Sequence, residues 1–176
     1  DRDRLLKTIG EMEDMLTATL SFARDEATSE IGKRIDIGAF VTSIADDMSD
    51  AGLAIQPGSV ESGVVVECKP LALRRALTNL IDNALKYGGK ATVAMRATAT
   101  DVEITVEDEG PGIPGDQLGR VLQPFVRLEE SRNRDTGGIG LGLAIAASIA
   151  EAHGGTLTLS NRGEGGLRAS IALPRC

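Results

Sequence analysis

Asn79 and Asn83 sit four residues apart in the run Asn79-Leu-Ile-Asp-Asn83-Ala-Leu-Lys86-Tyr87. On a helix that spacing puts both amides on one face. An amide oxygen is a hard, neutral ligand, suited to a Mg²⁺ ion that is already shared with phosphates. Lys86 is placed to reach a phosphate oxygen, and Tyr87 offers a ring for stacking. A second block, Asp108-Glu-Gly110-Pro-Gly112, sets a carboxylate ahead of a Gly-Pro-Gly turn, where backbone can bend sharply beside a ligand. Such a carboxylate can accept the exocyclic amine of adenine and select it over guanine. A third block, Gly137-Gly-Ile-Gly140-Leu-Gly142, puts bare backbone amides at the start of an apolar helix, a combination that favours anionic oxygens. Metal ligands, a base acceptor and a phosphate cradle together describe a site for ATP with Mg²⁺.

Taken singly, each block also fits a plainer reading. The asparagines could be a solvated polar face. Asp108 could be a turn aspartate satisfying its own backbone amides. The glycines could form a flexible hinge, and their spacing matches neither the Walker phosphate loop nor the dinucleotide GxGxxG fingerprint.

The elements that must position these residues can be read from periodicity. In residues 1–27 Leu5, Ile9, Met12, Leu16, Thr19 and Ala23 recur at spacings of four and three, which predicts one long helix with an apolar stripe. Nothing nearby supplies a partner helix of matching length, so the stripe implies pairing with a missing segment or another chain. Residues 28–35 read as a linker. Asp36 is placed to cap a helix from Ile37 to Ala51, with Gly52 as its terminator. Leu53–Ile55 and Val64–Glu67 read as short strands separated by a Pro-Gly-Ser turn. Pro70 opens a helix through Tyr87, closed by Gly88-Gly89. Lys90–Thr98 and Asp101–Glu107 read as antiparallel strands, the second with Val102, Ile104 and Val106 alternating against polar residues. A loop with a short helix near Gln117–Leu122 follows, then a helix over Leu141–His153 and two strands near Thr156–Ser160 and Leu167–Leu173. Strands and helices mix without strict alternation, so the expected fold is α+β, a two-layer α/β sandwich with a mixed, mostly antiparallel sheet, preceded by the long helix.

Composition narrows the functions. With 41% hydrophobic and 26% charged residues over 176 positions, the chain suits one globular core. Aromatics are only 2%, so that core must be aliphatic. A net charge of −7 without a basic face argues against a nucleic-acid partner. Cys68 and Cys176 lack metal-binding spacing and fit a reducing compartment. The apolar run Ile139–Ala150 is too short to span a bilayer. Because the chain opens Asp-Arg-Asp without Met, it reads as a fragment, cytoplasmic itself, whose parent could be anchored in the inner membrane through missing N-terminal parts.

The order NLIDNALKYG, DEGPGI, PFVR, GGIGLGLAI resembles the N, G1, F and G2 boxes of the catalytic domain of sensor histidine kinases, within the GHKL ATPase superfamily. The first helix, ending Leu20-Ser-Phe22-Ala-Arg24, is similar to the second helix of that family's dimerisation and phosphoacceptor domain. The resemblance covers essentially the whole chain. It implies a division into 1–27 (dimerisation helix), 28–35 (linker) and 36–176 (catalytic ATP-binding domain). It implies that Asn83 is the main Mg²⁺ ligand with Asn79 in support, that Lys86 contacts phosphate and that Tyr87 lines the pocket. Asp108 would bind the adenine amine, with Gly110 and Gly112 shaping its turn. Phe125 and Arg127 would belong to a lid, Arg127 stabilising charge during transfer. Gly138, Ile139, Gly140, Leu141 and Gly142 would frame the lid hinge and the phosphates. Two positions depart from the family pattern. Ile139 stands where Ser or Thr is common, and Cys68 stands where an Asp often precedes the N-box helix, which removes a good N-cap.

Histidine kinases transfer the γ-phosphoryl group to a histidine on the first helix of the dimerisation domain, and that helix is absent here. The only histidine, His153, falls at the end of the last helix beside Gly154, where it suits the helix dipole and reads as structural. The resemblance thus implies a kinase fragment that holds the donor site and lacks the acceptor. It would pair as a homodimer through the N-terminal helix and act towards a response-regulator receiver domain. The alternatives are a GHKL protein serine kinase of the anti-sigma type, and a nucleotide-binding signalling module without transfer.

Overall fold

The computed structural model describes residues 30–126, 128 and 140–176, together with Arg2, Leu5, Ile9, Gly10, Met12, Leu16 and Thr19. Those seven N-terminal positions are all helical, and Leu5, Ile9, Met12 and Leu16 are exposed. The rest of the helix expected over 1–27 lies outside the described residues.

The folded part begins with β1 (Lys33–Asp36), where a linker is expected through residue 35. The strand forms because its register against β3 (Val65–Cys68) sets Ile35 opposite the fully buried Val66. Helix α1 (Ile37–Asp50) follows at once. Asp36 caps it, one carboxylate oxygen accepting from Ala39 N at 3.1 Å, while the other accepts from Gly63 N at 3.2 Å. Gly52, at φ +86°, turns the chain out of the helix.

β2 (Ile55–Val60) contains the Pro57-Gly58-Ser59 segment that reads as a turn in sequence. It is a strand because it lies at the sheet edge, where proline's missing N–H is tolerated. Its pairing with β4 is parallel and shifts register between Pro57 and Val60. Helix α2 (Pro70–Gly88) starts on proline and stops at Gly89 in the left-handed conformation, φ +74°. β4 (Ala91–Ala97) and β5 (Asp101–Glu107) form the expected antiparallel pair. Two 3₁₀ turns, Gly115–Gln117 and Arg120–Leu122, stand where one short helix is expected. Helix α3 (Gly142–Ala152) and strands β6 (Thr156–Asn161) and β7 (Leu167–Pro174) complete the domain.

The main sheet runs β2-β4-β5-β7-β6, parallel only at β2–β4, with β1 and β3 as a separate two-stranded ribbon. The helices pack on the sheet, α1 against β2 and β4, α2 against β4 and β5, and α3 against β6 and β7, and α2 lies along α3. One aliphatic cluster fills the space between the layers; it includes Ile37, Leu73, Leu77, Ile81, Ile104 and Ile171, all at most 1% exposed. Truncating one of these leucines to alanine would cost about 2–5 kcal/mol. Among the described residues no helix is long and apolar enough to cross a membrane.

Candidate functional site

Helix α2 is the element on which the site is assembled. Its apolar stripe, Leu73, Leu77, Leu80 and Ala84, is buried, which turns Asn79 and Asn83 to the flank as partly buried groups. The Asn79 amide nitrogen is buried and has no hydrogen-bond partner among the described residues. Burying an unpaired amide costs about 1–3 kcal/mol, so such an atom calls for an explanation. Further along, the Lys86 ammonium lies 5.1 Å from the centre of the Tyr87 ring, at the exposed end of the helix.

The start of α2 is held from a distance. Lys69, at the N-cap, gives no side-chain bond. Glu30 supplies the missing acceptor, taking Leu71 N at 2.8 Å and Ala72 N at 3.1 Å. Its carboxylate thereby meets both the free amides and the positive end of the helix dipole. Cys68, adjacent, is buried, and its thiol is pushed up to about 11, chiefly by that burial and then by the Glu30 charge and Cys176. It is therefore a neutral packing group.

The second block abuts the C-terminal end of α2. A Cβ on Gly88 would lie 2.6 Å from Asp108 Cβ, and one on Gly110 would lie 2.7 Å from the Tyr87 carbonyl oxygen. Only glycine at both places allows the turn to pack so closely on the helix. Asp108 is 5% exposed. Its Oδ1 accepts from Gly110 N at 2.8 Å and Leu167 N at 3.2 Å. The plain role of a turn aspartate is thus real, and it uses one oxygen. Oδ2 has no hydrogen-bond partner among the described residues and remains available to a ligand.

The third block meets the first. A Cβ on Gly142 would lie 3.9 Å from Asn79 Cβ, which places the N-terminus of α3 beside the asparagine face. Leu141 is buried as a core residue. Gly140, at φ +77°, leaves no room for a side chain, because a Cβ would stand 2.7 Å from the Val126 carbonyl oxygen. Phe125 is the only non-glycine at positive φ among the described residues, at +64°, and its N–H donates to Gly140 O at 3.0 Å. A left-handed phenylalanine stores roughly 1–2 kcal/mol of strain, and here it holds residues 125–126 against Gly140. Arg127, Gly138 and Ile139 lie outside the described residues.

His153 is not in this site. It caps α3, its Nδ1 bonding Ile149 O at 2.7 Å while its Nε2 accepts from Lys69 N at 2.9 Å. The second bond requires an unprotonated Nε2, which assigns the proton to Nδ1. Both ring nitrogens are thus engaged in hydrogen bonds.

Sequence reasoning missed the partners of the Asp108 turn. Asn161 grips Ile113, accepting from its N at 2.8 Å and donating to its O at 2.6 Å, and Arg162 donates to Asp108 O at 2.7 Å. No local pattern marks these residues, since they lie 48 and 54 positions from the groups they hold.

Residues 68–176 match the family described as histidine kinase-, DNA gyrase B-, and HSP90-like ATPase. The chain belongs to that ATPase family, in its sensor histidine kinase branch. It is 35% identical over 175 residues to the sensor histidine kinase GtrS of Pseudomonas aeruginosa, covering 99% of this chain and 36% of GtrS. Against the histidine kinase domain of the E. coli osmosensor EnvZ it is 33% identical with a TM-score of 0.62, covering 82% of this chain and 89% of that domain. Full-length ShkA, solved in complex with AMPPNP, shares the fold at a TM-score of 0.76 and 24% identity, over 98% of this chain and 38% of ShkA. The chain thus spans about a third of the length of GtrS.

Proposed function

We propose that residues 36–176 are the catalytic ATP-binding domain of a two-component sensor histidine kinase. The helix within 1–27 would be the second helix of its dimerisation domain. The γ-phosphoryl group of ATP would pass to a histidine outside this segment, and from there to an aspartate of a response-regulator receiver domain. The observation that carries this reading is the convergence of the three blocks on α2, with a buried Asn79 amide nitrogen and an Asp108 oxygen that both lack partners among the described residues. In the transfer, the bond from the γ-phosphorus to the β–γ bridging oxygen breaks, a phosphorus–nitrogen bond forms, and ADP leaves. The proton of the acceptor imidazole goes to a base outside this segment.

The chain's own residues supply position and charge, which is most of what phosphoryl transfer asks of a protein. Asp108 Oδ2 accepts the adenine amine, and Gly110 and Gly112 keep its turn close. Asn83, with Asn79, offers amide oxygens to Mg²⁺. Among the described residues no group of three or more acidic, histidine or cysteine side chains could hold a metal, so the asparagine amides are the residues that would hold it. When bound, Mg²⁺ neutralises charge on the phosphate oxygens. Lys86 swings from Tyr87 to a phosphate, Tyr87 lines the pocket, and Gly138 to Gly142, with Ile139 and Leu141 between, present backbone amides. Phe125 and Arg127 form the lid, Arg127 adding positive charge. Dimerisation through the N-terminal helix and a cytoplasmic setting, with any membrane anchor in other parts of the protein, complete the proposal.

The test supplies a separately made dimerisation domain bearing its histidine, with Mg²⁺ and γ-labelled ATP. Acid-labile, base-stable label on that domain is the expected result. Label on serine would point to a serine kinase, and no label would leave a binding module.

A further inference from the structure

The Asp108–Ile113 segment contains Gly110 and Gly112, which have little intrinsic preference for one shape, on either side of Pro111. Its shape is imposed from the hairpin that joins β6 to β7. At one end, Arg162 Nη1 donates to Asp108 O at 2.7 Å. Leu167 also pairs with Asp108 through backbone, Asp108 N donating to Leu167 O at 3.0 Å. At the other end, the Asn161 amide closes a two-bond ring on Ile113. Asn161 reaches it because Gly112 has no side chain; a Cβ there would stand 2.6 Å from Asn161 Oδ1. The hairpin is itself braced. Arg162 N donates to Gly166 O at 2.9 Å, and Arg162 Nε pairs with Glu107 at 3.3 Å. Gly166, at φ +97°, is pressed so close to Asp108 that a Cβ would lie 1.9 Å from Asp108 O.

We propose that Asn161 and Arg162 are positioning residues that set base selectivity, holding the turn so that Asp108 Oδ2 is presented to the nucleobase. The inference rests on the reading of Asp108 as the adenine acceptor. Neither residue is assigned a contact with the base; Arg162 acts on Asp108 and Asn161 on the Ile113 end of the same turn. Losing a well-made hydrogen bond to the turn weakens its preferred shape by about 1 kcal/mol, or several-fold in the population that presents Oδ2. That loss falls on adenine, which uses the carboxylate, and spares guanine, which does not.

The test titrates the full chain with the Mg²⁺ complexes of non-hydrolysable ATP and GTP analogues, for wild type, Asn161→Ala, Arg162→Lys and Arg162→Ala. Asn161→Ala should weaken the ATP analogue roughly five- to tenfold, leave the GTP analogue within twofold, and keep the melting temperature. Arg162→Ala should do more, and Arg162→Lys should recover part of the preference, because lysine keeps a donor and loses the fork. Equal adenine-to-guanine ratios in wild type and Asn161→Ala would overturn the brace. A wild-type chain with no adenine preference would instead overturn the reading of Asp108, and this inference with it. Asn161 is exposed, so its variant decides the matter even if Arg162→Ala does not fold.

Discussion

The Asp108 turn and the asparagine face of α2 belong to one site, yet they are finished to different degrees. Around Asp108, the backbone is pinned at both ends, Oδ1 holds two amides, and four glycines, Gly88, Gly110, Gly112 and Gly166, admit neighbours that any side chain would exclude. Along α2, the buried amide nitrogen of Asn79 is left without a partner among the described residues, and the Asn83 side chain, partly buried on the same face, makes no hydrogen bond among them. On the proposed reading, the contrast teaches how the two ends of a nucleotide would be met. The base end would be shaped before the ligand arrives, so recognition there would cost little reorganisation. The phosphate end would keep polar groups in reserve, its hydrogen bonding completed by what binds.

Breaking the open end should have the largest effect. Asn83→Ala is expected to abolish the Mg²⁺ dependence of ATP-analogue binding and to lower phosphoryl transfer at least about 100-fold, as loss of a charge-positioning group does. Adenosine, which lacks phosphates, should bind as before, and parallel calorimetric titrations of the two ligands measure the difference. If adenosine weakens equally, the two ends are not separable.

The converse change is Asp108→Asn. It should reduce adenine-over-guanine preference about tenfold, the size of one well-placed hydrogen bond, with the Mg²⁺ dependence intact. Competition titrations with the two nucleotides read this directly.

Asn79→Leu sharpens the comparison in another way, because it should move stability and binding in opposite directions. Removing a buried amide without a partner raises stability by about 1 kcal/mol, a gain of roughly 2–4 °C in melting temperature, while ATP-analogue affinity falls. A melting temperature that drops would show that the amide is satisfied in the folded protein.

The smallest effect is expected at the start of α2. Glu30→Ala should cost about 1 kcal/mol by removing the cap, visible as a slightly lower melting temperature with adenine preference unchanged.

What the sequence discloses follows the distance over which the physics acts. Asp36 as a cap, Pro70 and Gly89 as helix limits, and the alternation of Val102, Ile104 and Val106 are local effects, and each stands where periodicity and capping rules put it. The asparagines at i and i+4 are legible for the same reason. Pro57-Gly58-Ser59 misleads, because a turn composition sits in an edge strand whose tolerance for proline depends on which neighbours it lacks. The cap on α2 is invisible from sequence, since Glu30 acts 41 residues from the amide it serves. The grip of Asn161 and Arg162 is invisible too. A hairpin tip rich in glycine and charge looks like any solvated loop until the sheet order brings β7 beside β5.

The register shift at Pro57 has a consequence for the sheet's margins. Along β2, one backbone donor is missing and the ladder is interrupted, so a foreign strand finds no continuous row of groups to copy. The opposite margin, Thr156–Asn161, carries neither proline nor charge. Among the described residues, resistance to aggregation is therefore lopsided: one border of the sheet is blunted against templated growth, and a chain under stress would recruit its neighbours along the other.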